Sequence, residues 1–172
     1  AFLYYAILQS GVLRAKAQVF KVGIVTNAYW AHSEDDALER LRPMAGTIDY
    51  LTISSDSNHG GGKGYRNPEI ARAAARQLDI PVDFISVAEA EATGTLPPGE
   101  SPVLFRGRAA VVLGSKVAQT PFQQFTNCPC EDLRNPQRVH VDPFGHLHIC
   151  QGISIGKLLE RPMTEIVAGF RP

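Results

Sequence analysis

Cys128, Cys130 and Cys150 are the only thiols of this chain, and the last of them closes the run His140-Val-Asp-Pro-Phe-Gly-His-Leu-His-Ile-Cys150. Thiolates bind zinc and iron-sulfur clusters, and imidazole suits zinc and iron. If Val139 and Val141, then Leu147 and Ile149, mark the apolar faces of two short strands, Asp142-Pro143-Phe144-Gly145 between them reads as a hairpin turn. Alternate residues of a strand point the same way, so His146, His148 and Cys150 share the opposite face. A Cys-x-Cys pair meeting that strand supplies three ligands to one soft-metal centre. The plainer alternative is three reduced, partly buried cysteines, because free cysteine packs as a small hydrophobe.

A second set of polar residues follows apolar runs. Asn27 comes directly after Lys21 to Thr26, and Ser54-Ser55-Asp56 after Ile48 to Ile53. Asn27 alone is a turn cap. Two polar strand ends facing one crevice are what the hydroxyl and amino groups of a cofactor require. Arg106 and Arg108, flanking Gly107, could hold a carboxylate by forked hydrogen bonds or decorate the surface. Gly60-Gly-Gly-Lys63-Gly64 lacks the order of a phosphate-binding P-loop, and reads as a loop, with His59 in solvent. Glu89 and Glu91 fall in a solvated loop and suggest no acid-base pair.

The elements that position these residues alternate. The spacing predicts a helix over about Phe2 to Val19, weakened by Gly11, then a buried strand at Lys21 to Thr26. Ser33-Glu34-Asp35-Asp36 is a helix start ahead of Leu38 and Leu41, and Pro43 and Gly46 stop that helix. Ile48 to Ile53 reads as a strand, and Asn67-Pro68-Glu69 opens a helix with Ile70, Ala73, Ala74 and Leu78 on one face. Val82 to Val87 makes a third strand and Val103 to Phe105 a candidate fourth. Arg106 to Ala110 turns into a short helix, and Pro162 to Val167 is a closing one. Strand, helix, strand, helix, strand implies an α/β fold with a parallel sheet and right-handed crossovers, whose functional loops leave the carboxyl ends of the strands. From Thr120 onward, proline and cysteine spacing replaces helix periodicity and marks an appended module. The expected division is 1–115 and 116–172.

Composition sets outer limits. The 172 residues suit one ordinary domain, and 17 basic and 17 acidic residues cancel, so no broad field favours nucleic acid or an anionic membrane. No apolar run is long enough to span a bilayer. Three cysteines suit a reducing cytoplasm better than a disulfide scaffold. The chain opens at Ala1 on an apolar helix-like run, and reads as the later part of something longer.

Taken in order, these segments resemble a known family. Val22-Gly-Ile-Val-Thr-Asn-Ala-Tyr-Trp30, then Leu51-Thr-Ile-Ser-Ser-Asp56 with His59, resemble the third and fourth strands of radical S-adenosylmethionine enzymes. Cys130, fourteen residues, Gly145, four residues, Cys150 is similar to the opening of their SPASM or twitch-type auxiliary-cluster extensions, and Arg106-Gly-Arg-Ala109 looks like the end of such a barrel. The resemblance implies a partial (β/α) barrel with parallel strands and a small cysteine-containing β-hairpin module.

It also implies roles. Thr26 and Asn27 would sit near adenosylmethionine, Ser54 and Asp56 would face its ribose or amino-acid part, and Arg106 or Arg108 its carboxylate. Cys128, Cys130 and Cys150 would ligate an auxiliary iron-sulfur cluster. The C-x3-C-x2-C motif of the radical-generating cluster is absent from the sequence, as are the Gly-Gly-Glu-Pro segment and the second half of a full SPASM module. The expected function is that of the C-terminal portion of such a protein, unable by itself to cleave adenosylmethionine, with its substrate unread. The alternative is a non-catalytic module in which the cysteines and one of His140, His146 or His148 hold structural zinc. Strands missing before Lys21 would leave a free sheet edge, which invites a homo-oligomer unless the helix from Phe2 covers it.

Overall fold

The computed structural model describes residues 2–56, 64–92, 95–105, 107–119, 121–124, 132–150 and 153–171. It divides into two compact units, one ending at Val103 and the other beginning at Leu104. His59 and the Gly60 to Lys63 stretch, Arg106, Cys128 and Cys130 lie outside the described residues.

The first unit is α/β. Helix α1 (Tyr5–Ala17) follows a short 3-10 turn, and strand β1 (Gly23–Thr26) comes next. Helix α2 (Glu34–Leu41), strand β2 (Tyr50–Ser54), helix α3 (Asn67–Gln77), strand β3 (Val82–Val87) and the two-residue strand β4 (Glu100–Ser101) complete it. All neighbours pair parallel, in the order β1-β2-β3-β4. Each strand lies beside the one before it in sequence, the order of a barrel wall rather than of a doubly wound sheet.

Helix α2 begins where the sequence says it should. The Ser33 hydroxyl accepts from Asp36 N–H at 3.1 Å, a cap whose removal costs about 1 kcal/mol. Glu34, Asp35 and Asp36 in its first turn complement the helix dipole. Proline at the second position of α3 removes a donor that has no partner there anyway.

The register puts Ile24 beside Leu51 and Val82, and Thr26 beside Ile53 and Phe84. That face packs on the helices: Ile24, Leu51 and Ile53 are buried with Ala37, Leu41, Ala71, Ala74 and Ala75. Phe2 stacks on Trp30 with ring centroids 4.2 Å apart, tying the start of the chain to the turn after β1. Val25, Tyr50 and Ile85 on the other face are exposed. Small alanines in α3 let it lie close to the sheet.

Two expectations of this unit are corrected. The buried face of α3 carries Pro68, Ala71, Ala74 and Ala75, whereas Ala73 is exposed. Several alanines in a row give the pattern little power to choose a face. The fourth strand is Glu100–Ser101, not Val103 to Phe105. Ser86 N–H donates to Gly99 O and Ala88 N–H to Ser101 O, and Pro102 has no N–H with which to extend the ladder.

The second unit carries helix α4 (Arg108–Leu113), then strands β5 (His140–Val141), β6 (His146–Cys150) and β7 (Ile153–Lys157), and closes with helix α5 (Met163–Gly169). The three strands form one antiparallel sheet in the order β5-β6-β7. The turn between β5 and β6 is the expected one: Gly145 N–H donates to Asp142 O at 3.0 Å and Asp142 N–H to His146 O at 3.1 Å. Leu147 and Ile149 are buried, but Val139 and Val141 are exposed, so the apolar face expected on the first strand is not covered. Strand β7 had no counterpart in the sequence reading. Gly156 within it leaves room for α5, since a Cβ there would stand 2.8 Å from Ile166 Cγ2.

Candidate functional site

The carboxyl ends of β1 and β2 carry four residues of one predicted site, Thr26, Asn27, Ser54 and Asp56. Thr26 ends β1 on the helix-facing side and is buried. Its hydroxyl accepts from Trp30 Nε1 at 3.0 Å and from Ala28 N–H at 3.1 Å. Thr26 therefore holds the turn. Ala28, fully buried, adopts the left-handed region at φ 56°, which reverses the chain directly after Asn27. Asn27 Oδ1 accepts from Tyr29 N–H at 3.4 Å, a long Asx-type contact.

Tyr65, and Asn67 beyond its place in the helix start, brace that turn from the start of α3. Tyr65 Oη donates to the carbonyl of Asn27 at 3.1 Å, and Asn67 Nδ2 to that of Tyr29 at 3.1 Å. Partial burial pushes the Tyr65 phenol above its ordinary range. The signal was present in the sequence as Tyr65-Arg-Asn-Pro68, but it reads there only as a helix start.

Ser54 ends β2 on the opposite face from Thr26, beside Ile85 of β3, and is buried. Asp56 is buried as well, and its Oδ2 accepts from Val87 N–H at 3.2 Å, joining the ends of β2 and β3. Asn27, Ser54 and Asp56 thus stand at successive carboxyl ends of one parallel sheet, where α/β folds place their ligands. Thr26 does not share Ser54's face. Arg108 is the first residue of α4 in the second unit, after Gly107 at φ 51°.

The second predicted site lies on β6, whose burial alternates: Leu147 and Ile149 are buried, His146, His148 and Cys150 are half-covered, and the pairing with β7 shifts register on both sides of His148. His140 is paired with His148 across the ladder. Asp142 organises this face from the turn. Its Oδ1 accepts from the N–H groups of Phe144 and His146, each at 2.9 Å, and its Oδ2 lies 3.0 Å from His146 Nδ1. Partial desolvation raises its carboxyl, but the hydrogen bonds from His146 and Phe144, with the His148 ring close by, outweigh that and hold it at about 2. Asp142 is thus ionised at neutral pH and presents an anion to the imidazoles.

Cys150 is a free, half-buried thiol. Among the described residues no three His, Cys, Asp or Glu side chains are grouped as a metal shell. What the described strand does offer is a thiol and two half-buried imidazoles, with both ring nitrogens of His148 buried and without a hydrogen bond. That donor set fits a soft or borderline metal. No helix among the described residues is long and apolar enough to cross a membrane.

Comparison of the chain with protein-family models, curated proteins and solved structures finds no match.

Proposed function

We propose that this chain is the C-terminal portion of a radical S-adenosylmethionine iron-sulfur protein, with the cofactor at the carboxyl ends of the parallel strands and an auxiliary iron-sulfur cluster in the cysteine module. The observation that supports the reading is the position of Asn27, Ser54 and Asp56 at neighbouring strand ends of a sequentially ordered parallel sheet. In this reading the Asn27 amide and the Ser54 hydroxyl hydrogen-bond the cofactor's polar edge, and the Asp56 carboxylate faces its ribose or amino group. Thr26 acts through Trp30 by fixing the turn that presents Asn27. Cys128, Cys130 and Cys150 are the proposed thiolate ligands of the cluster. The cofactor carries the radical chemistry in such proteins, while the protein binds, orients and shields it.

Equilibrium dialysis with labelled adenosylmethionine tests the strand-end site. The Ser54→Ala/Asp56→Asn double variant of the intact protein is expected to lose binding. Unchanged affinity in that variant removes these residues from the site.

One observation favours a second reading of the C-terminal module. The half-buried imidazoles of His146 and His148 stand on the same strand as Cys150, and mixed thiolate and imidazole sets are typical of structural zinc. In that reading the module is non-catalytic and metal stabilises its fold. The absorption spectrum of anaerobically prepared protein separates the two, since clusters absorb broadly near about 400 nm and zinc is colourless.

A further inference from the structure

His148 is the one imidazole of this module whose surroundings leave it incomplete. Its side chain is 17% exposed, against 40% for His146. Neither Nδ1 nor Nε2 reaches solvent or makes a hydrogen bond. A neutral imidazole has one donor and one acceptor nitrogen, and a buried one left without a hydrogen bond is destabilising. Such a cost persists in a fold where something else satisfies the ring.

The geometry around the ring indicates what that is. Nε2 stands 3.5 Å from Asp142 Oδ2, close enough to face it yet too far for a well-formed bond. Asp142 itself cannot wander, because two backbone N–H groups of the turn hold its other oxygen. Nδ1 has no partner, and two residues further along the strand, past a register shift in the pairing with β7, stands the half-buried thiol of Cys150. A carboxylate behind one ring nitrogen with the other nitrogen free is the arrangement that orients a metal-binding histidine.

We propose that His148 is a metal ligand through Nδ1, with Asp142 as the positioning residue behind its Nε2 and Cys150 as the neighbouring thiolate. This rests on the reading of the C-terminal module as a metal centre, whether zinc or cluster, and assigns the nitrogen ligand of that centre. His146, whose Nδ1 also faces Asp142 Oδ2, is set aside because its ring is the more exposed and it has no orphaned buried nitrogen. His140, opposite His148 on a two-residue strand, has no orphaned buried nitrogen. The assigned set is imidazole plus thiolate, which suits Zn2+ and its coloured surrogate Co2+, and also occurs in clusters with a histidine ligand.

The test titrates the reduced full chain with Co2+ alone and with Zn2+ alone, and in a parallel arm reconstitutes it with iron and sulfide. Wild type is expected to take up metal with a thiolate-to-metal absorption band, and His148 Nδ1 should shift in nitrogen NMR spectra on Zn2+ addition. Asp142→Asn should weaken Co2+ binding about 10- to 100-fold, the range found for residues that orient metal-binding histidines. His148→Ala should weaken it by more and change the visible spectrum, whereas His146→Ala should stay near wild type. Metal uptake by wild type together with an unmoved His148 Nδ1, or with unchanged affinity in His148→Ala, overturns the assignment while leaving the metal centre standing. Unchanged binding in Cys150→Ala removes the thiolate partner. No uptake of Co2+, Zn2+ or cluster by wild type overturns the centre and the assignment together. If His148→Ala fails to fold, His148→Gln and the wild-type nitrogen spectrum decide.

Discussion

The indole Nε1 of Trp30 donates to Thr26 Oγ1 at 3.0 Å, and the same oxygen also accepts the Ala28 N–H. One hydroxyl therefore satisfies two buried donors and fixes the turn that carries Asn27. Valine has the same shape without the oxygen. Thr26→Val should cost about 1 to 3 kcal/mol for each donor left unpaired. Chemical denaturation measures the loss, and the emission of the single tryptophan should change with it. Thr26→Ser keeps the acceptor and should lose much less. Equal stability of Thr26→Val and wild type would show that the hydroxyl does not hold the turn.

Asp49 sits before β2 and ties three parts of the first unit together. Lys16 Nζ donates to both of its oxygens, at 2.8 and 2.9 Å, and Val22 N–H donates to Oδ2 at 2.7 Å. The hydrogen bond from Lys16, and then that from Val22, hold the carboxyl below its ordinary range against partial desolvation. A depressed folded-state value means that the unfolded chain takes up the proton first. The contribution is fully present above about pH 4, the unfolded carboxylate value, and is lost as pH falls through the depressed one. Asp49→Asn should accordingly flatten the acid limb of stability against pH while changing its shape near neutrality little. Urea midpoints measured down the acid limb check this, and parallel curves for the two proteins would contradict it.

Patterns that repeat at a fixed period or carry their own hydrogen-bonding group were legible in the sequence. Val82 to Val87 is a strand over its whole expected length. Ser33 caps α2 because its hydroxyl reaches Asp36 N–H whatever surrounds it. The turn at Asp142 to Gly145 likewise follows from local chemistry. Features set by distant packing were not legible. Strand β7 has an exposed start and only two apolar side chains, too short a pattern to mark a strand, and its Gly156 makes sense only once Ile166 of α5 is beside it. Tyr65 and Asn67 brace the turn after β1 from 38 residues away, a relation that no local spacing encodes. The orphaned nitrogens of His148 are also a tertiary fact, since alternation gives the face of a side chain and not its partners.

Gly145 takes φ 82°, where a Cβ is disfavoured, and its carbonyl accepts from Leu158 N–H at 2.8 Å. A Cβ there would also stand 3.2 Å from Leu159 Cγ. Gly145→Ala should therefore destabilise the three-stranded unit by about 1 to 2 kcal/mol, the cost of placing an L-residue in the left-handed region. Hydrogen exchange at Leu147 and Ile149 should quicken while Leu51 and Ile53 of the first unit stay protected. Equal quickening in both units would mean that the substitution acts globally rather than through the turn.

The outer edge of β1 leads to a prediction about assembly. Leu51 N–H donates to Pro81 O at 2.8 Å, so the odd residues of β2 turn toward β3 and the even ones toward β1. Ile24, opposite Leu51, then makes the bonds to β2, and the backbone groups of Gly23 and Val25 point away from the sheet. No proline or charge lies within Gly23–Thr26 to blunt this edge, and the Val25 side chain is 61% exposed. Two copies related by a two-fold axis at Ile24 would set each Gly23 against the partner's Val25. The Tyr50 ring, which lies where a Gly23 side chain would stand, would then meet that valine. Light scattering of the 172-residue chain over a concentration series should show a dimer, with the Gly23 and Val25 amides protected from exchange as it forms. Val25→Lys places a charge on an already exposed position and should return the protein to monomer with the fold intact. A monomer at every concentration, or a dimer that persists in Val25→Lys with those amides unprotected, would rule this edge out as the interface.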